Sequence, residues 1–271
     1  MKTNTLEKGR PKLVVALAVL AALALVGVGA TFAYAKLKAV YLEQCVIRDF
    51  AAQVEITSGR MVHPSTIAEE LGLRVGANLA AIDFAERRRR VLEKVPNLLA
   101  LRIERHLPDR VTVVAEERTP IARLGIKGRR QPTGRVVDAE GMVFICQRGT
   151  QALPVIREAQ APGLAKGHRV SGRLEAALRL VEACRDAEFL ELGLLEVDTS
   201  KPDFLVATLG NYSRAKILWE DMDEPTPRSR ADLLARLTLL RDAIRARVSP
   251  ETVIWNATIP GRIFTDTQGR L

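Results

Sequence analysis

An uncharged apolar segment near the N-terminus limits what this chain can be. Leu13–Ala35 reads LVVALAVLAALALVGVGATFAYA and contains no charged side chain. As a helix it would be about 35 Å long, which exceeds the hydrocarbon thickness of a bilayer, about 30 Å. We therefore predict a transmembrane helix over 13–35, preceded by a short tail over 1–12. The predicted anchor positions include Leu13, Leu20, Val28 and Ala35.

The charges before this segment predict its orientation. Lys2, Lys8, Arg10 and Lys12 precede it with one opposing acidic residue, so the positive-inside tendency places the tail in the cytoplasm and the rest outside. A cleaved signal peptide is the alternative, because Ala33-Tyr34-Ala35 fits a small-x-small cleavage site. The apolar segment is longer than the apolar region of a signal peptide, about 7–15 residues, which favours an uncleaved anchor.

The composition excludes several classes of protein. Hydrophobic residues make up 47% of the chain, enough for a folded core. The net charge of +9 is compatible with nucleic acid, anionic lipid or acidic partners, but aromatic residues are only 4%, too few for a single-strand stacking platform. We predict no nucleic-acid binding. The three cysteines, Cys45, Cys146 and Cys184, are predicted to be buried apolar side chains, and one disulfide remains open as an alternative.

Periodicity beyond the anchor predicts a strand, two helices and two strands. Gln53–Thr57 alternates as a strand, and helices are predicted to begin near Pro64 and at Asp83. Leu99–Ile103 and Val111–Ala115 alternate as two strands joined at a proline turn. Two helices on one face of a three-stranded sheet would bury these apolar sides. We assign 36–52 to a stalk or a continued helix and 53–122 to this module.

The remaining sequence predicts a mixed α/β domain over 123–265, so the chain is of the α+β class. Ser171–Cys184 and Pro227–Val248 have the apolar spacing of amphipathic helices. The segments LLEVDT, FLVATLG and RAKILWE are predicted strands in an antiparallel-type sheet, and Val253–Phe264 supplies a terminal strand. The final tail is 266–271.

No arrangement of residues indicates catalysis. His63, His106 and His168 lie far apart in sequence, and no phosphate-binding glycine motif occurs. We therefore predict a protein without enzymatic activity, cofactor, metal or small-molecule substrate. The basic run in Glu86–Lys94 is interpreted as a solvated helix face; a docking face for an acidic partner or for anionic headgroups is the alternative.

Several motifs resemble those of the FtsQ/DivIB family of bacterial cell-division proteins. The segment VEITSGRMVHPSTIAEELGLRVGANLAAID is similar to the first half of that family's polypeptide-transport-associated (POTRA) domain. The segment VPNLLALRIERHLPDRVTVVAEERTPIARL is similar to the second half. VVDAEGMVF and LPVI resemble the hairpin and the motif that follow. The resemblance covers essentially the whole chain and is strongest over 53–157.

The resemblance implies a function in binding. It implies a bitopic inner-membrane protein with a POTRA domain over 53–122 and a periplasmic β domain, located at the division septum. Its partners would be FtsB-like and FtsL-like bitopic coiled-coil proteins, with others bound through the POTRA domain. The family's Asp-Leu-Arg-Tyr is here Trp255-Asn256-Ala257-Thr258. The implied partner-binding residues are Trp219, Val253, Ile254, Trp255, Ala257, Thr258, Ile259, Gly261, Ile263 and Phe264, with Trp255 either an anchor or a core residue.

Two other functions are compatible with parts of the sequence. A POTRA domain also occurs in outer-membrane protein assembly and secretion, but the residues after Gln160 predict two long helices and leave no room for a barrel. A periplasmic wall enzyme would need a nucleophile or a metal set, and neither is evident. The division scaffold is therefore the favoured interpretation.

Overall fold

The structure is a computed structural model that describes residues 10–129, 133–158, 165–246 and 254–266. The chain packs as two compact units. The first contains the described residues of 1–57, 64–88 and 102–114, and the second contains those of 58–63, 89–101 and 115–271. Both helices and sheets are present, as predicted for an α+β chain. One apolar helix lies near the N-terminus, where the membrane helix was predicted.

The first helix, α1, extends over Arg10–Gln44. Its stretch from Leu17 to Gln44 is long and apolar enough to cross a membrane, and none of that stretch is buried. The anchor positions Leu20, Val28 and Ala35 are exposed, and the backbone of Leu13 lies within α1. Of the two possibilities left open for the residues after Ala35, the continued helix is observed as far as Gln44.

The next elements along the chain are α2 (Phe50–Gln53), β1 (Val54–Thr57), α3 (Pro64–Leu71), α4 (Phe84–Lys94), β2 (Leu98–His106) and β3 (Arg110–Glu117). The predicted order of strand, helix, helix, strand and strand is present. The first sheet has three strands in the order β1-β3-β2, and β1 runs parallel to β3. Asp83 caps α4 because its Oδ1 accepts from the backbone N–H groups of Ala85 and Glu86, at 3.0 and 3.1 Å. The placement of both helices on one face of the sheet remains a prediction.

A second sheet has nine strands among the described residues. They are β4 (Ala122–Ile126), β5 (Arg135–Val137), β6 (Val143–Ile145), β7 (Val155–Glu158), β8 (Glu196–Asp198), β9 (Leu205–Thr208), β10 (Arg214–Ile217), β11 (Ile254–Ala257) and β12 (Phe264–Asp266). Their order in the sheet is β12-β11-β10-β9-β8-β7-β4-β5-β6. The prediction of an antiparallel-type sheet is only partly right, because β4–β7, β7–β8 and β10–β11 are parallel pairs.

Two helices and a short 3-10 turn accompany this sheet. They are α5 (Arg173–Cys184), the 3-10 turn Leu190–Leu192 and α6 (Pro227–Arg245). Both helices bury apolar residues in one core with β7–β11, so the predicted amphipathic helices are confirmed. Thr226 caps α6 by accepting from the Ser229 N–H at 3.0 Å, and Pro227 occupies the first turn, where its missing N–H costs nothing.

Candidate partner-binding site

The predicted terminal strand is two strands and not one. β11 pairs with β10 on one side and with β12 on the other, so it is an inner strand. The single edge strand predicted over Val253–Phe264 is therefore wrong in its extent, and Val253 itself lies outside the described residues. Pro260 and Gly261 fall in the turn between the strands, where proline cannot donate a ladder hydrogen bond. The edge strand at this end of the sheet is therefore β12.

The turn between β11 and β12 is held by local hydrogen bonds. The Asn256 Oδ1 accepts from the backbone N–H and the hydroxyl of Thr258, at 3.1 and 2.7 Å, an arrangement by which asparagine side chains stabilise turns. Gly261 has a φ of 70°, which favours glycine. These contacts direct the chain back along β11 as β12.

The residues predicted to bind a partner fall into two groups. Trp219, Trp255 and Ala257 are buried in the core of the second unit, so Trp255 is a core residue in this structure and not an exposed anchor. Ile254, Thr258 and Ile263 are half-buried. The exposed members are Ile259, Gly261 and Phe264, all at or beyond the turn.

The two edge strands of the nine-stranded sheet, β6 and β12, differ in whether other segments cover them. At the β6 border, the Val143 N–H donates to the His168 carbonyl at 2.9 Å, and the Gly167 N–H donates back to the Val143 carbonyl at 2.8 Å. The Asn97 side-chain amide also donates to the Ile145 carbonyl at 2.8 Å. The molecule's own segments therefore close this border.

The β12 border has no such cover among the described residues. Phe264–Asp266 pairs with β11, and no other described segment forms a hydrogen bond with its backbone. The Phe264 side chain is 44% exposed on this strand. An edge with unpaired N–H and C=O groups can accept a strand from another chain.

A buried arginine, which the sequence analysis did not single out, fixes this end of the sheet to α6. The Arg236 side chain is 5% exposed, and its Nη1 donates to the Ala257 carbonyl at 3.0 Å. Its Nε donates to the Asp232 carboxylate at 2.9 Å. The signal in the sequence was an arginine on the apolar side of α6, beside Leu233 and Leu237, where a buried charge requires partners.

A cavity of about 770 Å³ lies beside Trp219, between residues of α5 and the start of α6. Trp219 lines it, and the indole Nε1 donates to the buried Ser229 hydroxyl at 2.9 Å. Glu182 also lines the cavity. Burial raises the pKa of the Glu182 carboxyl above its ordinary value, although nearby arginines, Arg230 foremost, act in the opposite direction. Trp219 is thus a structural wall of this cavity.

The cysteines and histidines lie outside β11 and β12. Cys45, Cys146 and Cys184 are free thiols. Cys45 and Cys184 are buried, as predicted, whereas Cys146 is only half-buried. His63, His106 and His168 are exposed.

Comparisons with known proteins add no assignment. No protein-family model matches the sequence, and no curated protein matches it.

Proposed function

We propose that this chain is a non-enzymatic scaffold of the bacterial division machinery, similar to the FtsQ/DivIB family. It would be anchored in the inner membrane by α1, with its tail in the cytoplasm and both folded units in the periplasm at the septum. There it would join division proteins and thereby support synthesis of septal peptidoglycan. It would use no cofactor and bind no nucleic acid.

Two kinds of observation support this proposal. The motifs over 53–157 resemble those of the family, and the order of elements from β1 to β3 is the one expected of a POTRA domain. Independently, α1 has the length and composition of a membrane-crossing helix. A chain held at a membrane by one helix and carrying two sheets is suited to binding other membrane proteins.

The observation that carries the binding mechanism is the difference between the two borders of the nine-stranded sheet. The β6 border is closed by Gly167, His168 and Asn97, whereas the β12 border is uncovered among the described residues. We propose that an FtsB-like protein adds a strand beside β12, with an FtsL-like protein as its companion. Backbone hydrogen bonds would supply affinity, and pockets for side chains would supply specificity.

The exposed apolar residues near β12 would provide the anchor that Trp255 cannot. Phe264 lies on β12 and Ile259 lies in the turn before it, and both are exposed. Aromatic side chains contribute strongly to interfaces when a partner removes them from water. The borders β1 and β2 of the first sheet would serve other division proteins in the same way.

Depletion of the protein in its native bacterium tests the proposal. Filaments without completed septa support a role in division. Normal septation with defective outer-membrane protein assembly would instead favour the alternative function of POTRA domains. A pull-down that returned muropeptides and no protein partners would instead favour an enzyme of the cell wall.

A further inference from the structure

The end of α1 is clamped to the first folded unit. The carbonyl oxygen of Leu42, in the last turn of α1, accepts from the side-chain amide of Asn78 at 2.9 Å and from the Cys45 N–H at 3.2 Å. The last carbonyls of a helix have no partner within the helix, so such contacts define where the helix ends. A residue of the folded unit therefore caps the membrane helix.

Three more backbone hydrogen bonds reinforce this clamp. The Leu79 N–H donates to the Cys45 carbonyl at 2.8 Å, the Ile47 N–H to the Ala77 carbonyl at 2.9 Å, and the Gly76 N–H to the Ile47 carbonyl at 2.8 Å. Cys45 and Ile47 are completely buried. The segment after α1 is thus part of the folded unit, and it fixes the loop Leu73–Ala77, here named the membrane-proximal loop.

The geometry of α1 sets the depth of this loop. Leu42 lies seven residues beyond Ala35, which is about 10 Å along a helix. The headgroup layer on each side of a bilayer is about 5–8 Å thick, and helix tilt shortens the distance further. Leu42 therefore lies at the outer boundary of the headgroup layer. The membrane-proximal loop is hydrogen-bonded to Ile47 and is followed directly by Asn78, the side-chain partner of Leu42, so it is placed beside this level.

The side chains of the loop suit that position. Leu73 is buried in the unit, whereas Arg74, Val75 and Gly76 are exposed. Val75 is 64% exposed, the highest value of any large apolar side chain described in the first unit outside α1. An aliphatic side chain next to an arginine fits the boundary between acyl chains and phosphates, because arginine can reach the phosphates while its neighbour leaves water.

We infer that the membrane-proximal loop rests on the bilayer that α1 crosses, with Val75 at the acyl boundary and Arg74 among lipid phosphates. The inference rests on the membrane anchoring in the proposed function. It assigns a lipid-contacting surface to a folded unit that would otherwise be regarded as solvated on all sides. It also means that the unit is held in a defined orientation above the membrane and does not swing on a flexible stalk.

Fluorophore quenching in the full-length protein tests this inference. The chain would be reconstituted in nanodiscs of phosphatidylethanolamine and phosphatidylglycerol, in a Cys146→Ser background in which the two remaining cysteines are buried. An environment-sensitive fluorophore would be attached to Val75→Cys in one sample and to Leu20→Cys in another. Nitroxide-bearing lipids then report proximity to the bilayer, and aqueous iodide reports exposure to water.

Leu20 provides the matched control because it lies within α1. We expect lipid nitroxides to quench both labels, with a blue-shifted emission and weak iodide quenching at Val75. Strong quenching by lipid at Leu20 combined with iodide quenching alone at Val75 overturns the inference and leaves the anchor intact. Absence of lipid quenching at Leu20 overturns both, because α1 would then not cross the membrane.

Discussion

Replacement of Arg236 by alanine should loosen the end of the second sheet. The substitution leaves the carbonyl of Ala257 without its charged donor and removes one partner of Asp232. A hydrogen bond to a charged group contributes about 1.5–3 kcal/mol. The Asp232 side chain is 25% exposed, so that ion pair adds no more than about 1 kcal/mol. We therefore expect Arg236→Ala to lower the free energy of unfolding by about 3 kcal/mol.

Tryptophan fluorescence during urea unfolding measures this loss in the full chain in detergent micelles. The chain has two tryptophans, and both lie in the core that α6 and β11 share, so the signal reports that core. Arg228→Ala is the matched control, since Arg228 is exposed on the same helix and surface changes of this kind stay within about 0.5 kcal/mol. Equal unfolding midpoints for the two variants would refute the role of Arg236.

Three further predictions follow from single side chains. Glu117→Ala should destabilise the second unit by about 2 kcal/mol, because the Glu117 carboxylate accepts from the N–H groups of residues 60–62 at 2.8–3.0 Å. The same urea assay measures this loss of stability, with the exposed Glu116→Ala as the control. A loss no greater than that of the control contradicts the prediction. Glu182→Gln should raise the urea midpoint at neutral pH. Burial raises the pKa of the Glu182 carboxyl, so its charged form destabilises the folded state at neutral pH and glutamine removes this cost. The gain in urea midpoint should disappear as the pH falls below about 4.3, where the carboxyl is protonated in the folded and the unfolded state. A gain in midpoint that persists in acid would contradict this cause. In the native protein a maleimide should label Cys146 alone, because Cys45 and Cys184 are buried and burial raises the pKa of Cys184 to about 12. Mass spectrometry that finds more than one adduct before unfolding would count against this prediction.

Short-range patterns predicted most of the elements correctly. Apolar spacing placed α5 and α6, and the cap at Asp83 placed the start of α4, because these features depend on neighbours within a few residues. The membrane span was predicted to end at Ala35, followed by a stalk or a continued helix, and α1 does continue to Gln44. Lys36 and Lys38 are good helix formers, so loss of apolar character ends a membrane span without ending a helix.

The terminal hairpin shows where the sequence was misread. The whole segment 253–264 was predicted to be one strand. Pro260 and Gly261 are strong turn signals, and they should have divided it. The exposed edge consequently contains Phe264, whereas Trp255, for which an anchor and a core position were both left open, is in the core.

Contacts between distant residues were beyond sequence reasoning. Closure of the β6 border depends on Gly167 and His168 meeting Val143, and nothing in the local pattern of either segment indicates the other. The role of Asp138 is similar. Its carboxylate binds the buried Arg118 at 2.6 Å and also accepts from the Met142 N–H at 2.8 Å, so the aspartate of the VVDAEGMVF motif joins two segments that the sequence presents separately.

The proposed addition of a partner strand at the β12 border can be tested directly. Phe264→Glu and Ile145→Glu form a matched pair, because these side chains are 44% and 43% exposed at opposite borders of one sheet. Each full-length variant would be co-expressed with the FtsB-like and FtsL-like proteins of the same bacterium and purified from detergent, and the bound FtsB-like protein would be quantified. We predict that Phe264→Glu loses the FtsB-like protein while Ile145→Glu retains it at the wild-type level. Wild-type recovery with Phe264→Glu, or equal loss with both variants, would contradict the account.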